Sequence, residues 1–139
     1  MTITDSSTLS APAGLFLARF EIGGQLPGAP LFSVTFTVYT PEQSLAGMGR
    51  ITQAVNPPLD LATKLDGDFT YMTVMPDQTH VLVVATGYPV VKSGGGILPP
   101  NVHLRMVLEA DWQSGTANYG YEVDGTWHEV TDAPVRQVA

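Results

Sequence analysis

Three histidines, thirteen carboxylates and six cations are the ionic groups from which this 139-residue chain could assemble a reactive site, and it has no cysteine. Without cysteine, thiolate metal ligands, cysteine nucleophiles and disulfides drop out together. His80, His103 and His128 lie in separate segments, with neither His-x-His nor His-Glu-x-x-His spacing. A zinc site would have to be built wholly by the fold, and no metal is expected. Asp66-Gly67-Asp68, with Asp60 upstream, offers hard oxygen ligands for Ca²⁺. Its spacing matches no calcium loop with a closing glutamate, and it reads as a strand-entry turn. Gly94-Gly95-Gly96 after Lys92-Ser93 lacks the order of a phosphate-binding loop and the helix that would follow one, so Lys92 to Pro100 reads as a mobile loop. No serine sits in a Gly-x-Ser-x-Gly elbow. His103 and Glu109 flank Arg105 on one outward face, but nothing sets two of these groups into environments that would drive their pKa values apart, as acid–base catalysis requires. No catalytic residue and no cofactor is expected.

The aromatic residues are more suggestive. Trp112, Tyr119, Tyr121 and Trp127 fall within a short stretch, with Tyr39, Tyr71 and Tyr88 elsewhere. Aromatic rings on an open sheet face stack sugars, and inside a barrel they line a ligand cavity. The same rings serve as cross-strand pairs that stabilise a sheet by about 0.2–1 kcal/mol each. Tyr119, Tyr121, Trp127 and His128 are the candidate ligand-binding set.

The elements that would position these groups are strands. Phe16, Ala18, Phe20 and Ile22 alternate with Arg19 and Glu21, and Phe32, Val34, Phe36 and Val38 alternate with Ser33, Thr35 and Thr37. Pro41 to Ala46 suits one helical turn, and Gly47 to Val55 a short strand. Asp68 to Met75 and His80 to Tyr88 flank Pro76-Asp77-Gln78-Thr79 as a hairpin. Val81 to Ala85 is apolar on both faces, which predicts cover from a second sheet or a second subunit. Asn101 to Trp112 turns Val102, Leu104, Met106 and Leu108 inward, and His103, Arg105 and Glu109 outward. Gln113-Ser114-Gly115 leads into Thr116 to Val123, and Asp124-Gly125 leads into Thr126 to Val130. Asp-Gly suits the two positive φ angles of a type I′ turn, and that register sets Tyr121 opposite His128, Tyr119 opposite Val130 and Glu122 opposite Trp127. The pattern predicts an all-β domain of about eight strands with little helix, either an antiparallel barrel or a two-sheet sandwich.

Length and composition bound the rest. Residues 14–135 form one domain, between a disordered leader at 1–13 and a short tail at 136–139. Only 14 % of residues are charged while 44 % are hydrophobic, which favours a folded chain, and 14 Gly with 11 Pro disfavour long helices. The net charge of −7 and the scatter of Arg19, Arg50, Lys64, Lys92, Arg105 and Arg136 exclude a phosphate-neutralising stripe, so no nucleic acid partner is expected. No signal-peptide pattern opens the chain, and no apolar run is long enough for a membrane helix. The default is a cytoplasmic protein without a membrane partner, with export by a route needing no cleaved signal left open.

Three stretches together resemble a known family: Gly49-Arg-Ile-Thr-Gln-Ala-Val-Asn-Pro-Pro-Leu-Asp60, Gly67-Asp-Phe-Thr-Tyr-Met-Thr-Val-Met75, and Asn101-Val-His-Leu-Arg-Met-Val-Leu-Glu-Ala-Asp-Trp112 with Ser114-Gly-Thr-Ala-Asn-Tyr119. They are similar to the bacterial proteins grouped as domain of unknown function 1842, over Gly14 to Val135. The resemblance implies a bacterial single-domain β-protein and carries no catalytic residues.

Three functions follow as expectations. The first is a non-enzymatic barrel or sandwich that acts as a binding or assembly module and forms a homo-oligomer. The second is a small-ligand or carbohydrate binder using Tyr119, Tyr121, Trp127 and His128. The third is an enzyme of isomerase, cyclase or hydratase type with polar groups, His103 or Arg105 first among them, projecting into an apolar cup.

Overall fold

Alternating apolar and polar residues leave a strand two unlike faces, and closing the sheet on itself buries one face of every strand at once. A computed structural model, which describes residues 14–75, 78–90 and 98–138, shows this solution. Its strands are β1 (Leu15–Gly23), β2 (Leu31–Tyr39), β3 (Ser44–Gln53), β4 (Leu59–Met75), β5 (Gln78–Pro89), β6 (Val102–Glu109), β7 (Ser114–Val123) and β8 (Thr126–Val138). Each pairs antiparallel with the next, and β8 returns to β1, so the barrel is closed and the sandwich alternative falls away. A 3-10 turn at Thr40–Glu42 overlaps the helical turn expected over Pro41 to Ala46, of which Ser44 to Ala46 belong to β3 instead. The predicted leader at 1–13 and most of the predicted loop at 92–100 lie outside the described residues.

The core is what the alternation foretold. Phe20, Ile22, Phe32, Phe36, Ile51, Leu65, Phe69, Leu104, Met106, Leu108 and Tyr119 are among its largest fully buried side chains. Large and small residues alternate across one inward row: Phe36 lies opposite Gly47, Gly47 opposite Leu65, and Leu65 opposite Gly87. A Cβ on Gly47 would stand 1.8 Å from the Thr35 carbonyl oxygen, so only glycine permits this close approach of β3 to β2. The outward positions carry Arg19, Thr35, Lys64, Asp66, Arg105 and Glu129. Among the described residues no helix is long and apolar enough to cross a membrane.

Two strands are much longer than the sequence pattern suggests. β4 begins at Leu59, so Asp66-Gly67-Asp68 lies within a strand and is not an entry turn. Leu59, Leu61, Thr63 and Leu65 continue the inward face, an alternation masked by intervening Asp60, Lys64 and Asp66, which are poor strand formers in isolation. β8 runs past Val130 to Val138 despite Pro134, and its last residues close the barrel on β1. Val81 to Ala85 presents apolar residues on both faces, as expected. Val81, Val83 and Ala85 point into the core, Leu82 is half-buried and Val84 is partly exposed. Among the described residues no second sheet lies over them, since all eight strands belong to one barrel.

Candidate functional site

The Asp124-Gly125 turn has both φ angles positive, at 51° and 82°, and the register it sets is the expected one: Tyr121 opposite His128, Tyr119 opposite Val130, Glu122 opposite Trp127. That register divides the four candidate ligand residues between the two faces of the hairpin. Tyr119 and Tyr121 point inward and are buried, with Tyr119 packed 4.9 Å from the Phe32 ring and 6.2 Å from Tyr121. His128 stacks on Tyr121 at 5.2 Å and 23° while remaining exposed. Trp127 is on the outer face, stacked on His103 at 4.7 Å and 11°. Three of the set therefore form an inward column, and the fourth stands on the other side of the sheet.

The interior offers little chemistry. Among the described residues the buried polar ones are Thr63 and Asn101. The Thr63 hydroxyl donates to Asn101 Oδ1 at 2.8 Å, the Asn101 N–H donates to the Gly87 carbonyl, and the Glu122 N–H donates to the Asn101 carbonyl. This network links β4, β5 and β7 to the residue that leads into β6. The Tyr119 hydroxyl is buried without a hydrogen-bond partner, and burial, with the neighbouring Tyr121 adding to it, pushes its pKa well above the ordinary tyrosine value. Trp112, at φ 66°, packs edge-on against Phe16 at 5.4 Å and Phe69 at 5.2 Å within the core. His103 and Arg105 are outward and exposed, as their alternation requires.

The outer wall is different. Between Tyr39 at the end of β2 and Tyr88 near the end of β5 lies an open depression of about 580 Å³, lined also by Thr37, Ser44, Ala46, Asp66, Asp68 and Thr86. Its floor follows one row across the strands: Thr37 opposite Ala46, Ala46 opposite Asp66, Asp66 opposite Thr86. Small side chains on the floor and phenols at the banks shape the hollow. Tyr39 and Tyr88 stay 42 % and 39 % exposed, so both rings are partly available to a ligand. Among the described residues neither Asp66 nor Asp68 is in an ion pair. Asp60, by contrast, pairs with Arg50, and it lies too far along β4 to join the other two: six residues of strand span about 20 Å. No three potential metal ligands converge among the described residues.

The model of a family described as a domain of unknown function, DUF1842, matches residues 13–127. The chain belongs to the DUF1842 family. The match covers β1 to β7, and with them every residue of the outer depression, and stops at the start of β8, short of the Val135 limit expected from the resemblance. No curated protein matches this DUF1842 chain.

A second, smaller depression of about 290 Å³ on the outside of the DUF1842 barrel adjoins the first at Thr86 and is lined by His103, Arg105, Asn118 and Glu129 among others. Alternation in the sequence sets His103 and Arg105 outward, but neither depression is visible in it. Tyr39, Asp66, Asp68 and Tyr88 come from three strands, and only the barrel register brings them together. The local signal is the set of small or acidic outward residues Ser44 and Ala46 on β3 and Asp66 and Asp68 on β4.

Proposed function

We propose that this DUF1842 protein is a non-enzymatic binding module that holds a polyhydroxylated, carbohydrate-type ligand on its outer wall between Tyr39 and Tyr88. The observation that carries this reading is the combination in one hollow of two accessible phenol rings, two carboxylates without ion pairs and the hydroxyls of Thr37, Ser44 and Thr86. Ring faces pack against the C–H faces of a sugar, carboxylates accept paired hydroxyl hydrogens, and hydroxyl side chains both donate and accept. The strands hold these groups rigidly, which lowers the ordering cost of binding.

A filled barrel supports binding over catalysis. The cup required by an isomerase, cyclase or hydratase is occupied by Phe20, Phe32, Phe36, Leu104 and Met106, and the ionisable His103 and Arg105 stand outside it. The inward column of Tyr119, Tyr121 and His128 belongs, in this reading, to sheet packing.

A glycan array probed with the labelled protein tests the proposal. Selective binding to one group of glycans, weakened on the order of tenfold by Tyr88→Ala and by Asp66→Asn, supports it. Binding to none, or binding that both variants leave intact, removes it.

A further inference from the structure

Closure of the barrel is uneven. β1 and β8 share only four pairs, Arg19 with Val138 through Ile22 with Val135, so each strand overhangs the other. Among the described residues, 15–18 of β1 have a strand neighbour only on the β2 side, and 126–134 of β8 only on the β7 side. Such edges present unpaired N–H and C=O groups and invite another strand, so proteins guard them with charge, proline and bulges.

The two overhangs are treated in opposite ways. β8 carries His128, Glu129, Asp132 and Pro134 along its overhang, with Asp132 at φ 55° and a bulge opposite Asn118. β1 carries none of these guards. Its overhang is Leu15-Phe16-Leu17-Ala18, without charge, and Leu15 and Leu17 are 67 % and 69 % exposed.

We propose that the β1 overhang is a dimer seam, paired antiparallel with the same segment of a second copy. Antiparallel pairing of a strand with itself is symmetric, so a two-fold axis at the segment satisfies both edges at once and sets the leucines of one protomer against those of the other. Charge opposes a second copy less at this place than along the charged strands. A chain of net charge −7 repels its like, and residues 15–18 contribute no carboxylate, the nearest charge being the cation of Arg19. The seam also borders the Tyr39 bank of the outer hollow, since Leu15 lies opposite Tyr39 and Leu17 opposite Thr37. The inference does not depend on what the hollow binds.

Sedimentation equilibrium and light scattering of the full chain, from about 5 to about 500 µM, read the outcome directly, because a contact this short belongs to the weak end of interfaces. The expected result is a mass rising from 14.8 kDa toward twice that value. Leu17→Lys, an outward substitution that places a guard on the edge, returns it to the monomer with an unchanged far-ultraviolet spectrum. Leu26→Lys, at the still more exposed leucine of the β1–β2 turn, leaves the dimer intact. A monomer at every concentration, a dimer that persists in Leu17→Lys, or equal loss in Leu26→Lys overturns the proposal. So does a monomer that dimerises only when residues 1–13 are removed, which would assign the edge to the chain's own N-terminal segment.

Discussion

Trp127 on β8 reaches across β7 to stack on His103 of β6, with ring centroids 4.7 Å apart and planes 11° from parallel. The strand crossed carries Gly120, which lies opposite both His103 and Glu129. A Cβ there would stand 2.4 Å from Glu129 Oε2. Glycine at this point lets the Glu129 carboxylate lie close against the sheet beside the stacked rings, an arrangement in which side chains from a neighbouring strand cover a bare backbone.

Gly120 and Gly47 separate two reasons for glycine. At Gly120 the obstacle is the end of a flexible side chain, so Gly120→Ala moves Glu129 and costs less than about 1 kcal/mol, while changing the emission of the exposed Trp127. At Gly47 the obstacle is the Thr35 backbone oxygen at 1.8 Å, which cannot step aside. Gly47→Ala is expected to destabilise by about 3 kcal/mol or more, or to prevent folding. Urea denaturation of the two variants checks the order, and equal losses would show that close backbone approach is not what holds Gly47 in place.

Tyr119 makes stability sensitive to alkali. Its hydroxyl is buried without a partner, and its pKa is raised in the folded state, chiefly by burial. The folded chain therefore keeps this proton at a pH where the unfolded chain, titrating near 10, has lost it. The contribution is fully present below about pH 10 and declines as pH rises further. Tyr119→Phe removes both the buried unpaired hydroxyl and this dependence. The variant should match or exceed the parent in thermal stability at pH 7 and lose less of it at pH 11, as melting curves at the two values will show.

The Thr63–Asn101 pair is expected to act as a latch. Asn101→Ala takes the close acceptor from the buried Thr63 hydroxyl, leaving it the Tyr88 carbonyl at 3.4 Å, and removes the side-chain link at 2.8 Å between β4 and the residue before β6. A loss of about 1–3 kcal/mol should follow, and Thr63→Val with Asn101→Ala together should cost less than the sum of the single changes. Additive losses in a double-mutant cycle would mean that the two groups do not act as a pair.

Most of the fold was legible because β-strands advertise themselves locally. Phe32 to Val38 and Val102 to Leu108 announce which face is core, and Asp124-Gly125 fixes a hairpin register to the residue. The first half of β4 was hidden because Asp60, Lys64 and Asp66 occupy its outward positions, and Asp-Gly-Asp imitates a turn. β8 beyond Val130 was hidden because Pro134 and Asp132 look like an ending, whereas both lie on a strand that β1 borders only from Val135 onward. The outer hollow was beyond reach for another reason. Tyr39 and Tyr88 sit on strands that are not neighbours, and nothing in either local sequence says that β3 and β4 between them will present Ala46 and Asp66 as a floor. Clustering along the chain instead drew attention to Tyr119, Tyr121, Trp127 and His128, whose alternation divides them between two faces.

Ligand binding in the hollow between Tyr39 and Tyr88 is tested most directly by amide chemical-shift mapping during titration with saccharides selected from the array. Saturable shifts confined to β2 through β5, centred on Tyr39, Ala46, Asp66, Thr86 and Tyr88, and lost in Tyr88→Ala, are expected. Shifts centred instead on Tyr121 and His128, or no shifts at millimolar saccharide, would contradict binding in this hollow.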